Sequence, residues 1–314
     1  MVQKLIQTLI KVGSNLQKGM TMTWARLRLG SNDIPSLKKH MDNDLFDFER
    51  IKRNREFAQS RLQDHNFLIH KSVERVLDNL RDIQRDFKKI AVIGSRGADI
   101  LKACFPKKSV TVFDIVKGRG VDRLMKDEIP DLKEGRYDCV IVLPYLHTVN
   151  NVPAFLQTVK LALKPDGLFL CCLFGGTTIQ ELRQSIMQVE LKSRDGAGQH
   201  IHPMIDHYQF AGLLQSAGFA LPVVDYDRVH VRYSELITLY KDIIGMGEGN
   251  ALIEKPQPID DIKSEIENYY RENFYNEGFV ATFDILHGIG WSHHESQQQP
   301  ARRGSGEVSL TEIL

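Results

Sequence analysis

The stretch Lys88-Lys89-Ile90-Ala91-Val92-Ile93-Gly94-Ser95-Arg96-Gly97 joins an apolar run to a glycine turn, and Val110-Thr111-Val112-Phe113-Asp114 follows it. Asp114 stands twenty residues after Gly94 (114 − 94). A strand that enters a glycine turn, followed by a strand that ends in an acidic residue, is typical of the nucleotide-binding half of a doubly wound α/β sheet. A Gly-x-x-Gly turn alone also occurs as an ordinary strand-to-helix connection. The combination predicts a site for an adenosine-type cofactor, or descent from a protein that had one.

The following segments alternate between strand and helix patterns. Residues 137–143 form an apolar run between turn-like residues, which indicates a buried parallel strand. Residues 152–163 carry apolar side chains at helical spacing, and Lys164-Pro165-Asp166-Gly167 ends that helix before a further apolar strand at 168–173. This order predicts a parallel βαβ sheet.

The later part of the chain completes the predicted sheet. Asp206 is placed to cap a helix that ends at Gly218, and residues 220–225 and 228–233 resemble two short strands that form an antiparallel pair. Helical patterns within 234–279 precede a strand at 281–289. The predicted fold is a Rossmann-like seven-stranded class I methyltransferase sheet, with helices on both faces and a helical insertion near the C-terminus.

These patterns divide the chain into five predicted segments: a leader (1–40), an N-terminal helical cap (41–86), a Rossmann-like S-adenosylmethionine-binding domain (87–233), a helical insertion (234–279), and a last strand with a C-terminal tail (280–314). Residues 1–32 contain no Asp or Glu, which favours a mitochondrial presequence over a membrane-surface helix or an over-long reading frame ahead of Met41. The basic cluster in the cap is predicted to be a solvated face, and the alternative is a helix that closes the cofactor cleft.

Composition restricts the partners. The chain has 314 residues, 42% of them hydrophobic, and a formal net charge of +1. It has no apolar run near the roughly 20 residues that span a bilayer, and its charge gives no reason to expect nucleic acid. The four cysteines are predicted to be buried thiols in a reducing compartment.

Several short motifs resemble the mitochondrial complex I assembly factor 5 family and its alphaproteobacterial relatives, which are similar to the methyltransferase of biotin synthesis. The most specific are Gly245-Met246-Gly247-Glu248 with Asn250, and Gly290-Trp291 followed by His294-Glu295-Ser296. The resemblance runs from about Leu45 to the C-terminus. It implies a protein that hydroxylates an arginine on an iron-sulfur subunit of respiratory complex I during assembly. It also implies a mitochondrial matrix location, peripheral to the inner membrane through that client, or the cytoplasm of a bacterium.

The resemblance also implies a cofactor, S-adenosyl-L-methionine. The residues predicted to bind it are Gly94, Ser95, Gly97, Asp114, Asp127, Glu128 and Leu143. Two positions depart from the usual pattern of the class: Val92 stands where an acidic residue normally holds the amino group of the cofactor, and Arg96 brings positive charge toward its sulfonium unless the side chain points outward into solvent.

The predicted catalytic residues lie after the fourth strand, at the carboxyl end of the sheet. His147 is a candidate acid or base, and Tyr145 is a candidate to orient a guanidinium group; each also has a purely structural interpretation. Two histidines and a carboxylate can hold non-haem iron, but the histidine-rich segments are distant in sequence, so no metal site is predicted from His200, His202, His293, His294 and Glu295. The alternatives to the hydroxylase are a conventional methyltransferase acting on a carrier-bound acid and a non-catalytic assembly scaffold.

Overall fold

A computed structural model describes residues 44–83, 85–106 and 109–298. The predicted presequence and the distal part of the C-terminal tail lie outside the described residues. No helix of the described part is both long and apolar enough to cross a membrane.

The strands form one mixed sheet. Its order is β3-β2-β1-β4-β5-β7-β6, and every neighbouring pair is parallel except the two that involve β7, which are antiparallel. This is the predicted class I methyltransferase order, and the prediction of the fold is confirmed. The strands are β1 Lys89–Ile93, β2 Ser109–Asp114, β3 Arg123–Leu124, β4 Tyr137–Val142, β5 Leu163–Gly175, β6 Ala220–Tyr233 and β7 Phe279–Trp291.

Helices cover both faces of the sheet. They are α1 Phe48–Ala58, α2 Phe67–Asp82, α3 Ala98–Cys104, α4 Val152–Ala162, α5 Gln180–Ser193, α6 His207–Ser216, α7 Leu236–Gly245 and α8 Lys263–Phe274. Successive residues of a strand point to opposite faces, so Val92 of β1 joins one apolar cluster with α2, α5, α7 and α8, whereas Ile93 joins the other with α1, α4 and α6. The sheet therefore separates two cores.

Local sequence signals explain where α6 begins and ends. The Asp206 side chain accepts a hydrogen bond from the backbone N–H of Gln209, and the Gln209 side chain accepts one from the N–H of Asp206, which is a complete capping box. Gly218 follows the helix with φ of 78°, a left-handed conformation that favours glycine. The chain then enters β6.

Two strand boundaries differ from the sequence prediction. Residues 220–225 and 228–233 belong to one continuous edge strand, β6, which pairs with β7 along its length. The prediction of two strands is wrong, because Tyr226 and Asp227, which it left between the strands, pair with Leu286 and Ile285 of β7. Strand β5 begins at Leu163, and the predicted turn is an irregularity within it, where Asp166 has φ of 60°.

Candidate active site

The glycine turn after β1 has the backbone conformation that the sequence pattern requires. Gly94 and Gly97 have φ of 93° and 83°. A Cβ at Gly97 would lie 2.6 Å from Cγ2 of Val73 on α2, so the turn and the helix approach too closely for a side chain. At Gly94, a Cβ would lie 3.4 Å from Cβ of Leu143, the buried residue that follows β4. The turn thus connects β1 to α3 at the carboxyl edge of the sheet.

Asp114 is buried at the end of β2, and its carboxylate is already engaged by the protein. One oxygen accepts a hydrogen bond from the Ser95 N–H at 2.6 Å, and the other accepts one from the Val116 N–H at 3.2 Å. The residue predicted to meet a ribose therefore holds the glycine turn against β2.

Glu128 of the acidic pair Asp127-Glu128 stabilises a neighbouring loop, whereas the Asp127 carboxylate accepts a hydrogen bond from the Glu128 N–H at 2.7 Å. The Glu128 carboxylate accepts hydrogen bonds from the N–H groups of Asn150 and Asn151, at 2.9 Å each. Burial raises the pKa of Glu128, although these two hydrogen bonds oppose the rise. The Tyr145 hydroxyl donates to the Glu128 carbonyl at 2.9 Å. The predicted catalytic Tyr145 is thus buried and tied to this loop.

Arg96 turns inward, which excludes the solvent-facing alternative. Its Nη1 donates to the Met246 carbonyl and to Glu248 Oε1, both at 2.6 Å, and its Nη2 donates to the Pro144 carbonyl. Only 7% of the side chain is exposed. The guanidinium therefore crosses the carboxyl ends of β1 and β4 and reaches the segment after α7.

Glu248 is the centre of a buried group of charges, called here the Glu248 cluster, which consists of Arg55, Arg96, His147 and Glu248. Arg55 Nη2 lies 3.4 Å from Glu248 Oε1, and His147 Nε2 lies 2.8 Å from Oε2. The predicted solvated face on α1 is wrong for Arg55, because it is buried and its Nη1 also donates to Pro144 O at 3.3 Å. One carboxylate thus faces two guanidinium groups and an imidazole.

The environment sets the protonation states in the Glu248 cluster. Burial alone would raise the pKa of Glu248, but His147, Arg96 and Arg55 outweigh it and hold that pKa well below its usual value. Burial lowers the pKa of His147 despite the carboxylate, so the imidazole is neutral at neutral pH. A neutral His147 that donates from Nε2 leaves Nδ1 unprotonated, and Nδ1 is buried with no hydrogen-bond partner among the described residues.

The motif Gly245-Met246-Gly247-Glu248 at the end of α7 packs closely against α1 and the loop that follows it, next to Glu248. Gly245 packs against the His65 ring with no room for a Cβ, and Gly247, with φ of 81°, lies against Arg55 and Ala58 of α1. Asn250 then fixes the exit of the segment, because its side-chain amide donates to His200 O at 2.9 Å and accepts from the Leu252 N–H at 2.8 Å.

A cavity of about 250 Å³ adjoins the Glu248 cluster. Glu248, His147 and Met246 form part of its wall, together with Asn250 and His200. The remaining wall is largely aliphatic and aromatic, from Phe174, Ile179, Leu182, Ile186, Ile201, Met204, Ile243, Ile259 and Phe283. The cavity suits a guest with an apolar stem and a polar end.

His200 and His202 have separate partners. His200 Nε2 lies 2.9 Å from Glu190 Oε1, and His202 Nε2 accepts from the Ala251 N–H at 2.8 Å. His293 and His294 are exposed. Within the described ranges, no group of three or more His, Cys, Asp or Glu side chains is arranged to hold a metal ion.

Three side chains at the predicted S-adenosylmethionine site are buried or engaged within the protein. The carboxylate of Asp114 is engaged by backbone amides, an apolar Val92 is buried in β1, and the guanidinium of Arg96 spans the strand ends. The glycine turn has the required shape, but the polar groups beside it are directed at the protein itself.

The fold and this strand-end site define a class of protein. Residues 53–222 match the methyltransferase domain family Methyltransf_23, so the chain is a methyltransferase-fold protein. It is 30% identical over 313 residues to mitochondrial arginine-hydroxylase NDUFAF5 of Danio rerio, covering 94% of each chain, and 33% identical over 288 residues to the Mus musculus protein of that name, covering 86% of this chain and 84% of the other. The chain belongs to the NDUFAF5 arginine-hydroxylase family.

A third relative is a methyltransferase by name. Malonyl-[acyl-carrier protein] O-methyltransferase of Laribacter hongkongensis is 27% identical over 220 residues, covering 62% of this chain and 71% of that protein. The family predicted from the short motifs is confirmed.

The structure brings part of the predicted site together. Gly94, Ser95 and Gly97 lie in one turn, Asp114 of β2 accepts a hydrogen bond from the Ser95 N–H, and Leu143 lies beside Gly94. His147 lies in the Glu248 cluster, whereas Tyr145 faces the Asp127-Glu128 loop. Sequence reasoning missed Arg55 and Glu248 as site residues, and the available signal for Glu248 was the Gly-Met-Gly-Glu motif.

Proposed function

We propose that this protein hydroxylates an arginine side chain of a respiratory complex I subunit during assembly of the complex, in mitochondria. The iron-sulfur subunit is the proposed client, the matrix face of the inner membrane is the proposed location, and the bacterial cytoplasm is the alternative location. Membership of the arginine-hydroxylase family over nearly the whole chain supports the activity. The single structural observation that carries the proposal is the Glu248 cluster beside a cavity whose wall suits an arginine side chain.

The cavity matches the chemistry of arginine. The three methylenes of an arginine stem are apolar and its guanidinium is planar and cationic, so it needs an apolar wall that ends in carboxylate and carbonyl acceptors. Phe174 and Ile243 provide apolar wall, and Glu248 provides the carboxylate. The unpartnered Nδ1 of His147 is a candidate proton acceptor near the polar end.

Hydroxylation has a fixed stoichiometry. Conversion of a C–H bond to C–OH adds one oxygen atom and removes two electrons from the arginine. With dioxygen as the oxidant, a two-electron donor and two protons convert the second oxygen atom to water. The roles proposed for the described residues are to bind and orient the arginine, with His147 Nδ1 as a hydrogen-bond acceptor.

S-adenosylmethionine remains a prediction for this chain. Calorimetric titration of the protein with the cofactor, alongside Asp114→Ala and Arg96→Ala, tests it. Binding by the wild type that is lost in Asp114→Ala would support the predicted cofactor residues. Binding that appears only in Arg96→Ala would show that the guanidinium blocks the site.

Peptide mass spectrometry of complex I subunits tests the proposed function. Cells in which the gene is disrupted, and the same cells after re-expression, are compared. An arginine that carries one added oxygen only when the protein is present supports hydroxylation. A separate measurement of carrier-bound acids in the same cells covers the methyltransferase alternative, which an added methyl group would support. Restored assembly without any modification would support the scaffold.

A further inference from the structure

The guanidinium of Arg96 lies in a cage of three acceptors: Pro144 O, Met246 O and Glu248 Oε1. Two main-chain carbonyls and a carboxylate converging on one guanidinium form the arrangement that a guanidinium-binding site requires, because every donor of the guest is an N–H and every partner must be an acceptor. The cage is built from two separate parts of the chain, the loop after β4 and the motif after α7.

We propose that this cage is a binding site for the guanidinium of a client arginine, and that Arg96 is an internal occupant which the client must displace. The claim that the guest is a client arginine rests on the proposed function, whereas the claim that the cage binds a guanidinium does not. The two claims therefore fail separately.

Access supports the exchange. Met246 and Glu248, which hold Arg96, also line the 250 Å³ cavity. A guanidinium that enters through the cavity therefore meets the same carboxylate and the same segment. The apolar wall accommodates the stem behind it.

Charge makes exchange more favourable than addition. The Glu248 cluster already places two guanidinium groups, those of Arg55 and Arg96, around one carboxylate in a buried environment. A third guanidinium would add an uncompensated buried charge, which is costly where solvent is excluded. Replacement of one guanidinium by another leaves the charge of the cluster unchanged.

The resident side chain is incompletely satisfied. Arg96 Nε is buried with no hydrogen-bond partner among the described residues, although Nη1 and Nη2 are well paired. Burial, with the neighbouring Arg55 next in importance, lowers the pKa of Arg96 to about 10, so burial penalises its charged form. The unpaired Nε and the burial of the charge both reduce the cost of moving the side chain out of the cage.

The first test is chemical rescue of Arg96→Ala with methylguanidine, read as the shift of the thermal midpoint. The expected result is a saturable rise in the midpoint for Arg96→Ala, no such rise with methylammonium, and loss of the effect in the Arg96→Ala/Glu248→Gln double variant. The wild type and Arg53→Ala, a matched control at an exposed arginine of α1, should not respond. A response equal in the wild type and Arg96→Ala would overturn the proposal.

If Arg96→Ala does not fold alone, recovery of its far-ultraviolet circular dichroism during refolding replaces the thermal readout. Recovery with methylguanidine and not with methylammonium supports the cage. Failure of methylguanidine to restore the signal overturns it.

The second test addresses the client arginine, with N-acetylarginine methylamide and its citrulline counterpart titrated into the wild type and Arg96→Ala by calorimetry. An internal competitor reduces apparent affinity by the fraction of time that the site is open, so Arg96→Ala should bind the arginine compound at least about tenfold more tightly than the wild type. The citrulline compound, which lacks the charge, should bind neither. Equal affinities of the wild type and Arg96→Ala for the arginine compound would overturn exchange through the cavity. Rescue by methylguanidine without binding of the arginine compound would also overturn it. Loss of hydroxylation with the cage intact would count against the proposed function alone.

Discussion

A Glu248→Gln substitution removes the negative charge that faces two buried guanidinium groups. The side-chain exposures are 10% for Glu248, 4% for Arg55 and 7% for Arg96, so solvent screens these charges little. Loss of one member of a buried ion pair costs roughly 3–5 kcal/mol, because the remaining charge stays buried without compensation. The Gln oxygen still accepts a hydrogen bond from Arg96, so we expect a loss of about 3 kcal/mol in the free energy of unfolding, at the lower end of that range.

Urea unfolding, monitored by circular dichroism, measures this loss through the transition midpoint at an unchanged slope. Glu254→Gln is the matched control, because Glu254 is exposed in the same segment, and it should change the free energy by no more than about 0.5 kcal/mol. A loss below about 1 kcal/mol in Glu248→Gln would refute the interpretation of the cluster as a buried ion network.

Two further perturbations probe other parts of the account. Burial lowers the pKa of His202 from 6.5 to about 4 in the folded protein, so the unfolded state binds more protons between these pH values. This histidine should therefore contribute a loss of about 2 kcal/mol in the free energy of unfolding on acidification from pH 7 to pH 5. His202→Gln should flatten the pH dependence of unfolding, whereas the control His293→Gln, at an exposed position, should not. Equal pH profiles for the two variants would exclude His202 as the source of the pH dependence. Gly97→Ala places a Cβ 2.6 Å from Val73 at positive φ and should lower the free energy of unfolding, measured by heat or urea, by roughly 1–3 kcal/mol. Gly196→Ala, with open space around it, should be nearly neutral. Similar stability of the two variants would show that the turn tolerates a side chain.

The sheet order is predictable because each βαβ step leaves a local signal. The glycine turn marks the connection from β1, and the capping residue Asp206 and the terminal Gly218 mark α6 within a few residues of each end. Edge strand β6 is harder to predict, because only one of its sides is paired and its alternating polar residues resemble a break. Pairing with β7, far along the chain, decides its length.

The Glu248 cluster is not predictable from local patterns. Arg96 and its carboxylate partner are separated by 152 residues, and His147 and Glu248 by 101. Periodicity on α1 shows Arg55 only as one of several basic residues, because helical spacing does not reveal which of them meets a buried carboxylate. A motif such as Gly-Met-Gly-Glu signals that a backbone conformation is required, and only the folded chain shows which groups it brings together.

Mass spectrometry of complex I subunits from cells that express the wild type, His147→Gln or Glu254→Gln tests the central claim most directly. We expect an arginine with one added oxygen in cells with the wild type or Glu254→Gln, and little or none with His147→Gln at comparable protein levels. Unchanged hydroxylation with His147→Gln would contradict the placement of the site at the Glu248 cluster, and complex I that assembles with no hydroxylated arginine in any of these cells would contradict the hydroxylase function itself.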